Sequence, residues 1–198
     1  MMPESTGESL KGGGGPADGH PMTPVLGMAL FIAAEAMFFA GLISAYLVFR
    51  VGNPNWPPAG QPRLPVTLTA FNTLVLLMSA WTMYLAVRKT RQRRYQASVF
   101  LLTWTAIFGA IFLAIQGSEW VRLVSFGLTL TSSVYGGLFY TLIGIHGLHV
   151  AGGLIGLFYV LNKAVLREYT AADHQSLGLC RMYWYFVVAV WPILYTLV

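Results

Sequence analysis

Four side chains in this sequence place ionisable or hydrogen-bonding chemistry inside otherwise apolar runs. Glu35 lies in FIAAEAMFFAGLISAYLVFR, Asn72 in FNTLVLLMSA, and His146 and His149 in GIHGLHVAGG. A charged carboxylate near the centre of a bilayer costs on the order of 3 kcal/mol even on lenient scales, so Glu35 is expected to be neutral or paired. Such an acid serves as a proton site, as a contact that fixes a partner or lipid, or as a hydrogen-bonding group within a helix bundle. Asn72 reads as a hydrogen-bonding link between helices. Gln116 and Glu119 are weaker signals and read as an outer helix end.

The two histidines are three residues apart and therefore share a helix face. On one face they cannot take the two sides of one porphyrin. The other histidines, His20 and His174, fall in polar segments, so haem binding by this chain is not expected. A metal site of Glu35, His146 and His149 is geometrically conceivable, but nothing around it in the sequence supplies the hydrogen bonds that orient metal ligands. No catalytic, cofactor-binding or metal-ligating residue is therefore assigned. Both imidazoles read as hydrogen-bonding groups that cross between helices and set their register. The lone cysteine, Cys180, excludes an intrachain disulfide and a cysteine metal site.

The segments that must position these residues are membrane spans. Of 198 residues 56% are hydrophobic and only 10% charged, and the mean hydropathy is +0.63, which excludes an ordinary soluble domain. A formal charge of +5 suggests nucleic acid only until the basic residues are located, in one short loop between apolar runs. No nucleic-acid partner is expected. The fold class is all-α, a polytopic bundle of five transmembrane helices at about 24–50, 66–88, 96–116, 130–163 and 177–198, after a flexible cytoplasmic tail over 1–23. Proline-rich VGNPNWPPAGQPRLP is a loop, Arg88 to Arg94 a charged turn, and Pro192 a kink.

Span four, from Gly136 to Lys163, carries seven glycines and no charge before the lysine. Small residues on both sides of it predict a helix packed on two faces in the middle of the bundle. Span one has a stripe of Ala29, Ala33, Ala36, Ala40 and Ser44, with Glu35 on the other side beside Met28, Phe39, Leu42 and Tyr46. Glu35 is 11 residues past Pro24 and His149 is 14 residues before Lys163, so the two fall at nearly the same depth and a hydrogen bond between them is predicted. Placing the amino terminus and the basic turn inside puts nine of the twelve Lys and Arg in the cytoplasm, with the carboxyl terminus outside. Tyr183, Trp184 and Tyr185 then read as an interfacial belt, with Arg181 and Trp184 placed to meet a lipid headgroup.

Several of these segments together resemble subunit III of the haem-copper oxidases, the cytochrome c and quinol oxidase family. They are the Glu35 segment, NWPPAGQPRLP with FNTLVLLMSA, QGSEW, GIHGLHVAGG and YWYFVVAVW, in order over nearly all of Val25 to Val198. Five spans are similar to the short bacterial form. The resemblance implies a subunit of an aerobic respiratory oxidase in the bacterial inner membrane that holds no redox centre itself. Haem and copper would sit in partner subunits, chiefly subunit I, against which this chain would dock beside structural phospholipid. In the family the acid at the Glu35 position lies in a buried, lipid-associated region, and subunit III supports proton uptake and protects subunit I from inactivation. The last helix departs from the family's YWHFVD, with Tyr185 and Val188 in place of the histidine and aspartate and Gly178 where an acid is common. That departure leaves a nitric-oxide-reductase-associated relative as one alternative, and a stand-alone proton channel or transporter using Glu35 is another.

Overall fold

A computed structural model describes residues 22–54, 56, 66–166 and 171–197. The expected tail over 1–23, apart from its last two residues, His20, and most of the proline-rich loop lie outside the described residues, as does the side chain of His174. Five helices follow one another: α1 Met22–Gly52, α2 Val66–Arg91, α3 Tyr95–Ser125, α4 Val134–Val165 and α5 Ala171–Leu197. Each is long and apolar enough to cross a membrane. The chain is an integral membrane protein. In hydrocarbon every backbone N–H and C=O must be satisfied within the segment, and a helix does this without a partner strand. At 1.5 Å per residue α3 and α4 are about 47 Å long, well beyond a hydrocarbon core of about 30 Å, so both tilt or project past it.

α2 and α3 form a hairpin joined by hydroxyl pairs. The Thr82 and Thr105 hydroxyls are 2.8 Å apart and those of Thr90 and Ser98 are 2.6 Å apart, while Ser98 also donates to the Ala86 carbonyl. Lipid tails give apolar helices no reason to associate, so these short polar contacts and close packing carry the hairpin. α4 packs on α3 and α5, and α5 reaches across to α2. α1 touches only α4 and α5 among the described residues.

α5 is held by Trp184. Its indole fills a slot between α3 and α4: a Cβ on Gly109 would meet Trp184 Cη2 at 2.7 Å, and one on Gly153 would meet Cε3 at 2.9 Å. Its Nε1 donates to Ser79 Oγ of α2 at 3.1 Å. One side chain thus touches three helices. Trp184 is fully buried, which corrects its expected place in a headgroup belt: the glycines opposite it open a slot that an indole fills, and Ser79 satisfies the N–H there.

The helix ends also differ from the sequence expectation. α3 runs to Ser125 rather than stopping near Gln116, because the polar residues that suggested an end satisfy one another inside the bundle. α4 starts at Val134 rather than 130, since Ser133 caps it by accepting from the Gly136 N–H at 3.0 Å and Ser132 turns back on Thr129. α2 reaches Arg91 and α5 begins at Ala171, and Pro192 lies within a continuous helix. The two-faced packing expected of α4 is only partly realised. Gly144 and Gly147 receive Trp120, but Leu148, Ile155, Phe158 and Tyr159 form an exposed outer edge.

Candidate functional site

Glu35 of α1 and His149 of α4 come together. His149 Nε2 lies 2.9 Å from Glu35 Oε2, and His149 Nδ1 lies 2.7 Å from the Ile145 carbonyl oxygen one turn earlier in α4. A carbonyl can only accept, so Nδ1 carries the hydrogen and donates to Ile145. One further proton then lies between Nε2 and Oε2. Either Glu35 is the acid and donates to a neutral imidazole, or the imidazolium donates to a carboxylate. Both arrangements are neutral as a pair, which is how a membrane interior accommodates an acid.

The helix register that makes this contact also sets its surroundings. The face of α1 that holds Glu35 is the packed one, with Phe39 and Tyr46 buried and Met28 and Leu42 half-buried. Phe39 meets the His149 ring edge-on at a centroid distance of 5.0 Å. The Tyr183 hydroxyl donates to the His149 carbonyl at 3.3 Å, placing α5 behind the pair. The side chains of His149 and Glu35 remain 16% and 22% exposed, so the pair sits at the edge of the bundle and not at its centre. Outside it, the Ala29, Ala33, Ala36, Ala40 and Ser44 stripe faces away from the other helices.

His146, one turn from His149, has a different environment. It is buried in a cage of aromatic rings: Trp191 stacks on it at 5.0 Å, and Phe112 and Phe39 present edges at 6.1 and 6.4 Å. Neither ring nitrogen has a hydrogen-bond partner among the described residues. The expectation that both imidazoles bond across helices is therefore corrected for His146, which packs as an aromatic disc because the side chains around it are rings and not polar groups. No three His, Cys, Asp or Glu side chains converge among the described residues.

A second polar cluster lies deeper in the bundle than its sequence suggests. Glu119 is 1% exposed, accepts from Thr69 Oγ1 at 3.2 Å and from Gln116 Nε2 at 3.1 Å, and ties α2 to α3. It is more buried than Glu35. The expected outer helix end at Gln116 and Glu119 is thus an interior contact; their spacing of three places both on one helix face, a signal compatible with either reading. Asn72 joins the same seam, donating to the Phe112 carbonyl at 3.2 Å, and Trp191 Nε1 donates to Thr73 Oγ1 at 2.9 Å. Of the expected headgroup pair, Arg181 stands half-buried beside a cavity, while Trp184, one turn further along α5, is enclosed between α3 and α4. At the last helix Tyr185 is half-buried with no hydrogen-bond partner for its hydroxyl among the described residues, and Val188 is buried.

Residues 22–198 match the profile of the family described as cytochrome c oxidase subunit III. Among similar proteins, the cytochrome c oxidase subunit 3 of Synechocystis sp. is 35% identical over 181 residues, covering 91% of this chain and 76% of its own. The probable cytochrome c oxidase subunit 3 of Nocardia farcinica is 37% identical over 177 residues, covering 87% and 85%. The cytochrome c oxidase subunit 3 of Bacillus subtilis is 32% identical over 174 residues, covering 87% and 84%.

Proposed function

Because the chain belongs to the cytochrome c oxidase subunit III family, we propose that it is a non-catalytic subunit of a haem-copper terminal oxidase, stabilising the catalytic subunit I and supporting its proton uptake. The observation that carries this reading is the family match across all five helices. The chain supplies no redox centre: haem and copper belong to the partner subunits. The complex sits in the bacterial cytoplasmic membrane, with the amino terminus and the basic α2–α3 turn inside and the carboxyl terminus outside.

Two features of α1 support the docking role. Its outward stripe of alanines and Ser44 is the kind of surface that lets another membrane helix approach closely. Its Glu35–His149 hydrogen bond lies at the bundle edge, within reach of a neighbouring subunit. Phospholipid completes the surface.

The test is purification of the tagged full chain in mild detergent, with mass spectrometry of its partners and an absorption spectrum. A haem-bearing subunit I should co-purify, and after its removal this chain should show no Soret band. A preparation free of any haem-copper subunit, or a haem spectrum in the isolated chain, overturns the assignment. Within the intact oxidase, Glu35→Gln should shorten the time to inactivation during turnover several-fold while leaving haem content unchanged.

A further inference from the structure

A cavity of about 440 Å³ opens where α2 ends, α3 begins and α5 runs through its second and third turns. Arg91, Arg93 and Arg181 line it, and no carboxylate does among the described residues. We propose that this cavity binds the phosphodiester headgroup of an anionic phospholipid. The proposal needs only that the five helices cross a membrane, so it stands or falls separately from the oxidase assignment.

The charge is built in from three directions. Arg91 closes α2, Arg93 sits in the tight turn, and Arg181 comes from α5, nearly three turns in and half-buried. Among the described residues no carboxylate pairs with Arg91, Arg93 or Arg181, and the Glu35–His149 contact lies elsewhere. A partly desolvated guanidinium favours a planar, bidentate anion, and phosphate oxygens meet that fork geometry.

The turn is specialised for Arg93. Its φ is 58°, in the left-handed region where glycine is the cheap choice, and the turn closes through Arg93 N–H to the Thr90 carbonyl and Arg94 N–H to that of Lys89. An L side chain is held there at about 1 kcal/mol relative to glycine. That cost is explained if the side chain is used. Across the cavity Gly178 has no heavy atom within 4 Å of where its Cβ would be, which leaves room beside Arg181.

A lipid fits better than a soluble anion because of what lies under the arginines. Val87 and Leu177 form an apolar floor, and the cavity sits at the ends of α2 and α3, where the chain leaves the hydrocarbon. Basic pockets between helices at this level hold anionic headgroups while the acyl chains stay in the bilayer.

The experiment is native mass spectrometry of the full chain titrated with phosphatidylglycerol, with phosphatidylcholine of the same acyl chains, or with glycerol 3-phosphate. Phosphatidylglycerol should bind at least tenfold more tightly than either alternative. Arg181→Gln and Arg93→Gly should each weaken it roughly fivefold, the expectation for one arginine near a headgroup. Arg88→Gln, on the exposed side of α2 and outside the cavity, should change it less than twofold. Arg93→Gly also relieves the turn, so it should raise resistance to unfolding while it weakens lipid binding, a combination that misfolding cannot produce. Equal binding of the two lipids, an Arg88→Gln loss as large as that of Arg181→Gln, or glycerol 3-phosphate binding as tightly as the lipid would each overturn the proposal.

Discussion

Trp184 and Phe39 are both buried aromatic side chains that attach a helix to the bundle, and they do so in different ways. Trp184 enters a slot whose two walls are glycines of α3 and α4 and is pinned at its N–H by Ser79 of α2. Phe39 attaches α1 through ring edges alone, to His149, His146 and Phe186. The consequence shows along the whole helix. Only 6% of the most apolar stretch of α1 is buried, against 33–44% in the other four helices. α2 to α5 form a close-packed unit with α1 laid along one side of it. What holds α1 is one stripe: the Glu35–His149 pair, Phe39, Tyr46 with its Trp56 donor, and Arg50, which donates to the Leu197 carbonyl.

The contrast can be broken most forcefully at Gly153. A leucine there collides with an indole that is boxed by Gly109 and tethered to Ser79, so the slot cannot widen without moving two helices. Overpacking of this kind costs about 3 kcal/mol, and the close-packed unit should lose its cooperative unfolding in mixed detergent–SDS micelles followed by tryptophan emission. Phe39→Ala should cost less, about 2 kcal/mol, because acyl chains can fill the space beside α1 where a closed core would keep a cavity. It should loosen α1 alone. In a Cys180→Ser background, maleimide labelling at Leu42→Cys should rise several-fold while tryptophan emission is unchanged; equal loss of both signals would mean that α1 is integral to the core.

Smaller effects sharpen the same distinction. Glu35→Ala should cost about 1 kcal/mol, in line with polar contacts between membrane helices. Its infrared signature is the better readout: the carboxyl band assigned by Glu35→Gln should move in His149→Ala, and an unmoved band would show that the two groups do not share a proton. Thr82→Val, which removes one rung of the α2–α3 hydroxyl ladder, should cost about 0.6 kcal/mol. His146→Phe should cost nothing measurable, since no hydrogen bond to another side chain is lost and the aromatic cage accepts a ring. A clear loss of stability there would reveal a polar role for that imidazole.

The Glu35–His149 contact was within reach of counting, because two rigid helices crossing one slab fix depth from residue number. The Glu119 contact was not. Gln116 and Glu119 look like the polar end of a span, and only the position of α2 alongside makes them interior partners of Thr69. His146 and His149 likewise share a face and a helix, yet one meets a carboxylate and the other three aromatic rings, a difference settled by which helix lies opposite each.

The amino-acid sequence determined that there are five helices, about where they begin, and that Glu35, Asn72, His146 and His149 lie within them. Water-free hydrocarbon admits backbone only as self-satisfied helices of about 20 apolar residues, and that requirement is written in composition. Tertiary structure decided which side of each helix meets protein. In water an apolar stripe points inward, but lipid is as apolar as a protein core, so Trp184 and the alanines of α1 carried no mark of direction. Shape complementarity and a few hydrogen bonds made that choice, turning the tryptophan into the slot and the alanine stripe away from it.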